Sequence, residues 1–146
     1  MTQLKKILLA EDDPNDVELT LTALSEHNLA NGVSIARDGE ETLDYLYMRG
    51  RFENRAPGNP ILILLDVKMP KLNGIQVLKT IKSDDNLKNI PVVMLTSSEE
   101  TRDISECYNY GVNAYVVKPV NFSDFISAVK ELGIFWAMIN ITPDNK

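Results

Sequence analysis

Cysteine, histidine and tryptophan each occur once in 146 residues. Cys107 has no second thiol in the chain, so no internal disulfide holds the fold together. With His27 it is too little to build a structural zinc site. Basic residues are the minority: fifteen Lys and Arg face twenty-one Asp and Glu, for a net charge of −6. Without a basic block, the chain does not read as a binder of nucleic acid or anionic membrane. Long apolar runs are missing too. The longest, LGIFWAMINI at 132–141, is interrupted by Gly133 and Asn140 and is too short to span a bilayer. At the start, MTQLKKILLAEDD has only Ile7 to Ala10 before three acids, too little for a secretory signal. A cytosolic address is expected. The glycosylation-like triplets at Asn121 and Asn140 then read as coincidence.

What is present fits one ordinary domain. Apolar residues make up 44% and charged residues 25%, a globular balance. Five short apolar runs stand out: KKILLA (5–10), VSIA (33–36), ILILL (61–65), PVVML (91–95) and AYVV (114–117). Three of these are continuous rather than alternating, as strands are when both faces of a parallel sheet are covered. Between them the apolar spacing is helical. Val17, Leu21 and Leu24 share a face after Asp13-Pro14, an N-cap and first helical residue. Leu43, Leu46 and Tyr47 follow the Asp38-Gly39 turn signal, and Ile75, Leu78 and Ile81 follow Asn73-Gly74. Ile104, Cys107 and Tyr108 form a weaker face, and Phe122, Phe125, Ile126, Val129 and Leu132 a strong one. The alternation is (βα)5, in one α/β domain over 1–146. Right-handed crossovers favour a doubly wound five-stranded parallel sheet of order 2-1-3-4-5, flavodoxin-like. One connection, GRFENRAPGNP at 50–60, is long and rich in Gly, Pro and charge.

The strands end in chemistry. The first runs into Glu11-Asp12-Asp13, the third into Asp66, the fourth into Thr96-Ser97 and the fifth into Lys118-Pro119. Ligands of open α/β sheets bind at the carboxyl edge, where the strand order reverses. Asp12 and Asp66 are therefore expected to converge in one crevice flanked by Thr96 and Lys118. Carboxylates so close repel, and without a cation at least one pKa should rise. Magnesium resolves the conflict, because it takes a few carboxylates and keeps several waters. A metal, a carboxylate, a hydroxyl and an ammonium together suit phosphoryl transfer, with the aspartate as nucleophile.

ILLAEDD, LLDVKMPKLNG, VVMLTSS and AYVVKP, in this order, resemble the four signatures of the response-regulator receiver domain. The resemblance covers about Lys5 to Leu132. It implies that Asp66 is the phosphoacceptor, and that Asp12, Asp66 and the Lys68 backbone carbonyl ligate Mg²⁺, with Glu11 reaching the ion through water. It implies that Thr96 and Lys118 bind the phosphoryl group, that Thr96 and Tyr115 act as the switch pair, and that Pro119 follows a cis bond. Met69-Pro70 and Gly74 match the loop after the acceptor. Lys68 and Ser98, each two positions past a site residue, are expected either to tune hydrolysis of the phosphoryl group or to be idle surface. The 50–60 loop and the Phe135-Trp136 tail resemble the small stand-alone regulators that serve bacterial and cyanobacterial phytochrome kinases.

The expected function is a single-domain response regulator, signalling rather than turning over a substrate, with a histidine kinase as partner. Two competitors remain. A phosphorylation-independent scaffold would have no use for Glu11, Asp12, Asp66, Thr96 and Lys118 together. A Mg²⁺-dependent aspartyl-phosphate phosphohydrolase needs an acid two residues after its nucleophile, where this chain has Lys68. Beyond Leu132, the apolar groups of the 133–146 extension point in several directions around a helix. The tail could fold back over its own core, but the favoured expectation is a homodimer through the fourth helix, fifth strand and fifth helix, with Phe135 and Trp136, that covers them.

Overall fold

The computed structural model describes residues 6–25, 32–96, 101–118 and 121–132. The continuous apolar runs become the three central strands: β1 (Ile7–Ala10), β3 (Leu62–Asp66) and β4 (Val92–Thr96). Those of β1 and β3 are buried at every residue, as is β4 over Val92 to Leu95. The two mixed runs form the edges, β2 (Val33–Ala36) and β5 (Ala114–Val117), whose side chains are partly covered. All neighbours are parallel and the order is β2-β1-β3-β4-β5, as expected. The register pairs Ile7 with Leu62, Asp66 with Leu95 and Thr96 with Val117. The loops that follow β1, β3 and β5 therefore open on one edge of the sheet.

Among the described residues, five α-helices cover the two faces: α1 (Pro14–Ser25), α2 (Gly39–Leu46), α3 (Gly74–Ser83), α4 (Thr101–Asn109) and α5 (Phe122–Leu132). Alternation along each strand divides the core. Leu8, Ile63, Leu65 and Met94 pack with residues of α2, α3 and α4. Ile7, Leu9, Leu64 and Leu95 pack with Val17 and Leu24 of α1 and with Phe125 and Val129 of α5.

The helix starts are chemically fixed. Asp13 Oδ1 accepts from the Asn15 amide at 2.8 Å, and Asn73 and Gln76 form a reciprocal capping box on α3. Asp38-Gly39 is not a turn but the cap and first residue of α2, with Asp38 Oδ1 accepting from Glu41 N at 2.8 Å. Gly39 is buried against the β3–α3 loop, and a Cβ there would overlap the Leu72 carbonyl oxygen.

Two aromatic positions differ from expectation. Tyr47 is 40% exposed because α2 ends at Leu46, and Tyr45 takes the core position instead. Beyond the helix, Met48 turns the chain at φ 55°, and Tyr47 donates its hydroxyl to Asp84 Oδ2 at 2.6 Å. Tyr108 is 51% exposed; one residue after the buried Cys107, it sits a quarter-turn round α4. The long 50–60 connection opens with a 3-10 turn, Gly50–Phe52, and folds back on the domain. Phe52 meets Tyr45 edge-on with ring centroids 5.1 Å apart, while Arg55 lies 4.1 Å over the Tyr45 ring and donates to the Tyr45 carbonyl at 2.7 Å. His27, Ser98, Pro119, Phe135 and Trp136 lie outside the described residues.

Candidate functional site

The carboxyl edge of β1, β3 and β5 gathers charged groups from three stretches of sequence. Glu11 and Asp12 directly follow β1, and Asp66 is the last residue of β3. One oxygen from each of Glu11, Asp12 and Asp66 lies within 4.8 Å of the other two. Glu11 and Asp66 are buried, whereas Asp12 is exposed and opens the cluster to solvent. Such a set, all carboxylate oxygens with one side open, is the donor chemistry a hard divalent cation takes.

Lys118, directly after β5, reaches into this cluster. Its ammonium donates to Glu11 Oε1 at 2.7 Å and to Asp16 Oδ2 at 2.8 Å, and stands 3.5 Å from Asp66 Oδ2. The second Glu11 oxygen accepts from the Asp13 amide at 3.2 Å. Glu11 is thus held by both the fifth strand's lysine and the turn that starts α1.

Burial sets the electrostatics. It pushes the Glu11 carboxyl up to about 7; the Lys118 hydrogen bond pulls back and the Asp66 charge adds to the rise. Burial raises Asp66 as well, against the Lys118 charge and hydrogen bonds from Glu11 and the Lys68 backbone. Burial alone would weaken the Lys118 ammonium, but the hydrogen bonds to Asp16 and Glu11, with the Asp66 charge, hold it above the ordinary lysine value. Two buried carboxyls thus compete for too little positive charge.

The residues singled out in the sequence fall into three groups. Glu11, Asp12, Asp66 and Lys118 come together. Thr96 ends β4 in register with Val117, one residue before Lys118. Tyr115 lies further back on β5, half-buried, paired with Met94 in register and packed on the core. Lys68 has an exposed side chain in the loop after Asp66. Asp16, the third residue of α1, was missed. Its signal was the helix start itself: an acid one turn beyond a cap that abuts the strand edge. A helix N-terminus explains such an acid without any ligand.

The sequence matches the response regulator receiver domain over residues 7–130. The chain belongs to this family. Rcp1 of Synechocystis sp., a response regulator, is 38% identical over 132 residues, covering 90% of this chain and 88% of its own. The solved bacteriophytochrome response regulator RtBRR is 54% identical with a TM-score of 0.85, covering 97% of this chain and 86% of that one. The phosphorylated cyanobacterial phytochrome response regulator RcpA is 40% identical with a TM-score of 0.77, covering 97% and 99%. Rcp1 has also been solved with Mn²⁺ bound; that structure is 36% identical with a TM-score of 0.74, covering 94% and 96%. This receiver is therefore similar to phytochrome response regulators along nearly its whole length, and its acidic cluster accompanies that likeness.

Proposed function

We propose that the chain is a single-domain response regulator, a signalling unit over 1–146, that takes a phosphoryl group from a histidine kinase onto Asp66. The observation that carries this reading is Asp66 at a strand end, buried, within reach of two further acids and one ammonium. An Asp66 oxygen attacks phosphorus as the P–N bond of the donor phosphohistidine breaks, and the departing imidazole nitrogen keeps the bonding pair and takes up a proton. Asp12, Asp66 and the Lys68 carbonyl would hold Mg²⁺, with Glu11 acting through water. When bound, the ion supplies the positive charge that neutralises phosphoryl oxygens. Lys118 adds a second positive charge from the β5 side, and Glu11 orients that ammonium. The Thr96 hydroxyl would bond a phosphoryl oxygen and Tyr115 would follow it inward.

A phytochrome-class kinase is the partner favoured by the likeness to RtBRR, Rcp1 and RcpA. Output would pass by protein contact at α4, β5 and α5. There an open cleft of about 300 Å³ is lined by Tyr108, Tyr115, Val117 and Ala128 among others. A homodimer through this face, extended by Phe135 and Trp136, would bury the exposed Tyr108. A single buried thiol accords with a cytosolic address, and the acidic surface with a partner other than nucleic acid. No helix among the described residues is long and apolar enough to cross a membrane.

The test is incubation of the full chain with Mg²⁺ and acetyl phosphate, followed by intact mass. One phosphoryl increment is expected in the wild type and none in Asp66→Asn. An increment retained in Asp66→Asn, or none in the wild type, would overturn the assignment.

A further inference from the structure

We propose that Asp16 is a positioning residue that competes with the phosphoryl group for the Lys118 ammonium, and so limits how tightly the site holds that group. The inference rests on the receiver reading above and adds to it a residue on α1.

A lysine ammonium has three N–H donors. Here one goes to Glu11 at 2.7 Å and one to Asp16 at 2.8 Å, while Asp66 Oδ2 stands 3.5 Å away, beyond a good hydrogen bond. The ammonium is drawn toward α1 rather than onto the acceptor. Asp16 is not needed as a cap. Asp13 already accepts from the Asn15 amide at 2.8 Å and, more weakly, from the Asp16 amide at 3.4 Å. The Asp16 carboxylate instead reaches a lysine 102 positions further along the chain.

Of the two short contacts, the one to Asp16 is built to yield. The Glu11 side chain is 1% exposed, and its other oxygen is held by the Asp13 amide. Releasing it would strand a buried carboxyl without a partner. The Asp16 side chain is 30% exposed, so water can take over its charge once the ammonium turns away. A phosphoryl group on Asp66 brings more negative charge to an acceptor 3.5 Å from the Lys118 ammonium. The ammonium then turns from Asp16 to the phosphoryl oxygen, and the strength of the Asp16 contact opposes that turn.

The experiment measures binding of beryllium fluoride, a tetrahedral phosphoryl mimic, to the full chain at saturating Mg²⁺ by calorimetry. Asp16→Asn keeps the size and an acceptor oxygen but removes the charge. It should bind the mimic roughly three- to ten-fold more tightly than wild type, the range expected for a partly exposed charged contact. Asp16→Glu, which returns the charge, should fall back toward the wild-type affinity. Unchanged or weaker binding by Asp16→Asn, with the wild type binding normally, would overturn this inference and leave the receiver reading intact. An equal gain in Asp16→Glu would also overturn it, because geometry and not charge would then be responsible. No binding by the wild type would overturn both.

Discussion

The Nζ of Lys118 lies 2.7 Å from Glu11 Oε1 and 3.5 Å from Asp66 Oδ2, so its firmer partner is the acid after β1 and not the acid that ends β3. Lys118 thus ties the end of β5 to the turn after β1, and removing it should cost stability. Lys118→Met would leave Glu11 and Asp66 buried without their counter-ion. At pH 8 the expected loss is about 2 kcal/mol, and phosphoryl uptake from acetyl phosphate should fall by about 100-fold. At pH 5 much of the lost stability should return, because the stranded carboxyls can take up protons. Denaturant titrations at both pH values check this. An equal loss at both would assign the contribution of Lys118 to packing rather than charge.

Metal-free protein should show a pH dependence of the opposite sense to most carboxylates. Glu11 rises from the ordinary 4.5 to about 7 in the fold, so the native state binds its proton more tightly than the unfolded state. The stabilisation from that proton is full below pH 4.5 and is lost as the pH climbs through 7. A swing on the order of 2–3 kcal/mol is expected, removed in Glu11→Gln. Mg²⁺ favours the charged carboxylates, so saturating metal should flatten the trend, and binding near pH 6 should release protons. Denaturation in chelator with and without Glu11→Gln, and calorimetry in buffers of different ionisation enthalpy, measure the two effects.

The fold was legible because the physics of a doubly wound sheet is written locally. Continuous apolar runs at Ile7, Leu62 and Val92 can lie only in the middle of such a sheet, and the strand order then carries Asp12, Asp66 and Lys118 to one edge. What was hidden depends on partners distant in sequence. Asp16 looks like an ordinary first-turn acid until β5 places Lys118 beside it. Tyr47 fits a helical face by spacing alone, and only the end of α2 at Leu46 sends it outward to Asp84. Asp38-Gly39 has the composition of a turn, but its glycine answers to a close approach by Leu72.

That approach gives a further prediction. Gly39 packs on the loop joining Asp66 to α3, which Lys71 also ties to α2 through Asp38 and Glu40 at 3.6 Å each. Gly39→Ala must push the Leu72 backbone away, and that displacement is transmitted along the loop toward Lys68 and Asp66. A loss of about 2–3 kcal/mol is expected, together with weaker Mg²⁺ binding. Gly58→Ala is the comparison: its added methyl meets open space, and only the backbone strain of φ 114° opposes it. It should cost about 1 kcal/mol and leave metal affinity alone. Equal metal affinities in both variants would show that the α2 contact does not support the site.

Lys82 offers a test of stability away from the acidic cluster. Its ammonium donates to the Lys88 carbonyl at 3.0 Å, the Ile90 carbonyl at 3.0 Å and Asn113 Oδ1 at 3.1 Å. The same Asn113 oxygen accepts from the Val92 amide at 2.9 Å. One ammonium thus ties the end of α3 to the starts of β4 and β5, and burial lowers its pKa. Lys82→Met keeps the stem but removes all three donors, with an expected loss of about 2 kcal/mol. Asn113→Ala removes the shared acceptor and leaves the Val92 amide short of a partner. Because both changes break the same junction, the double variant should lose clearly less than the sum of the singles. Additive losses in a denaturant series would mean that Lys82 and Asn113 stabilise the two strand starts independently.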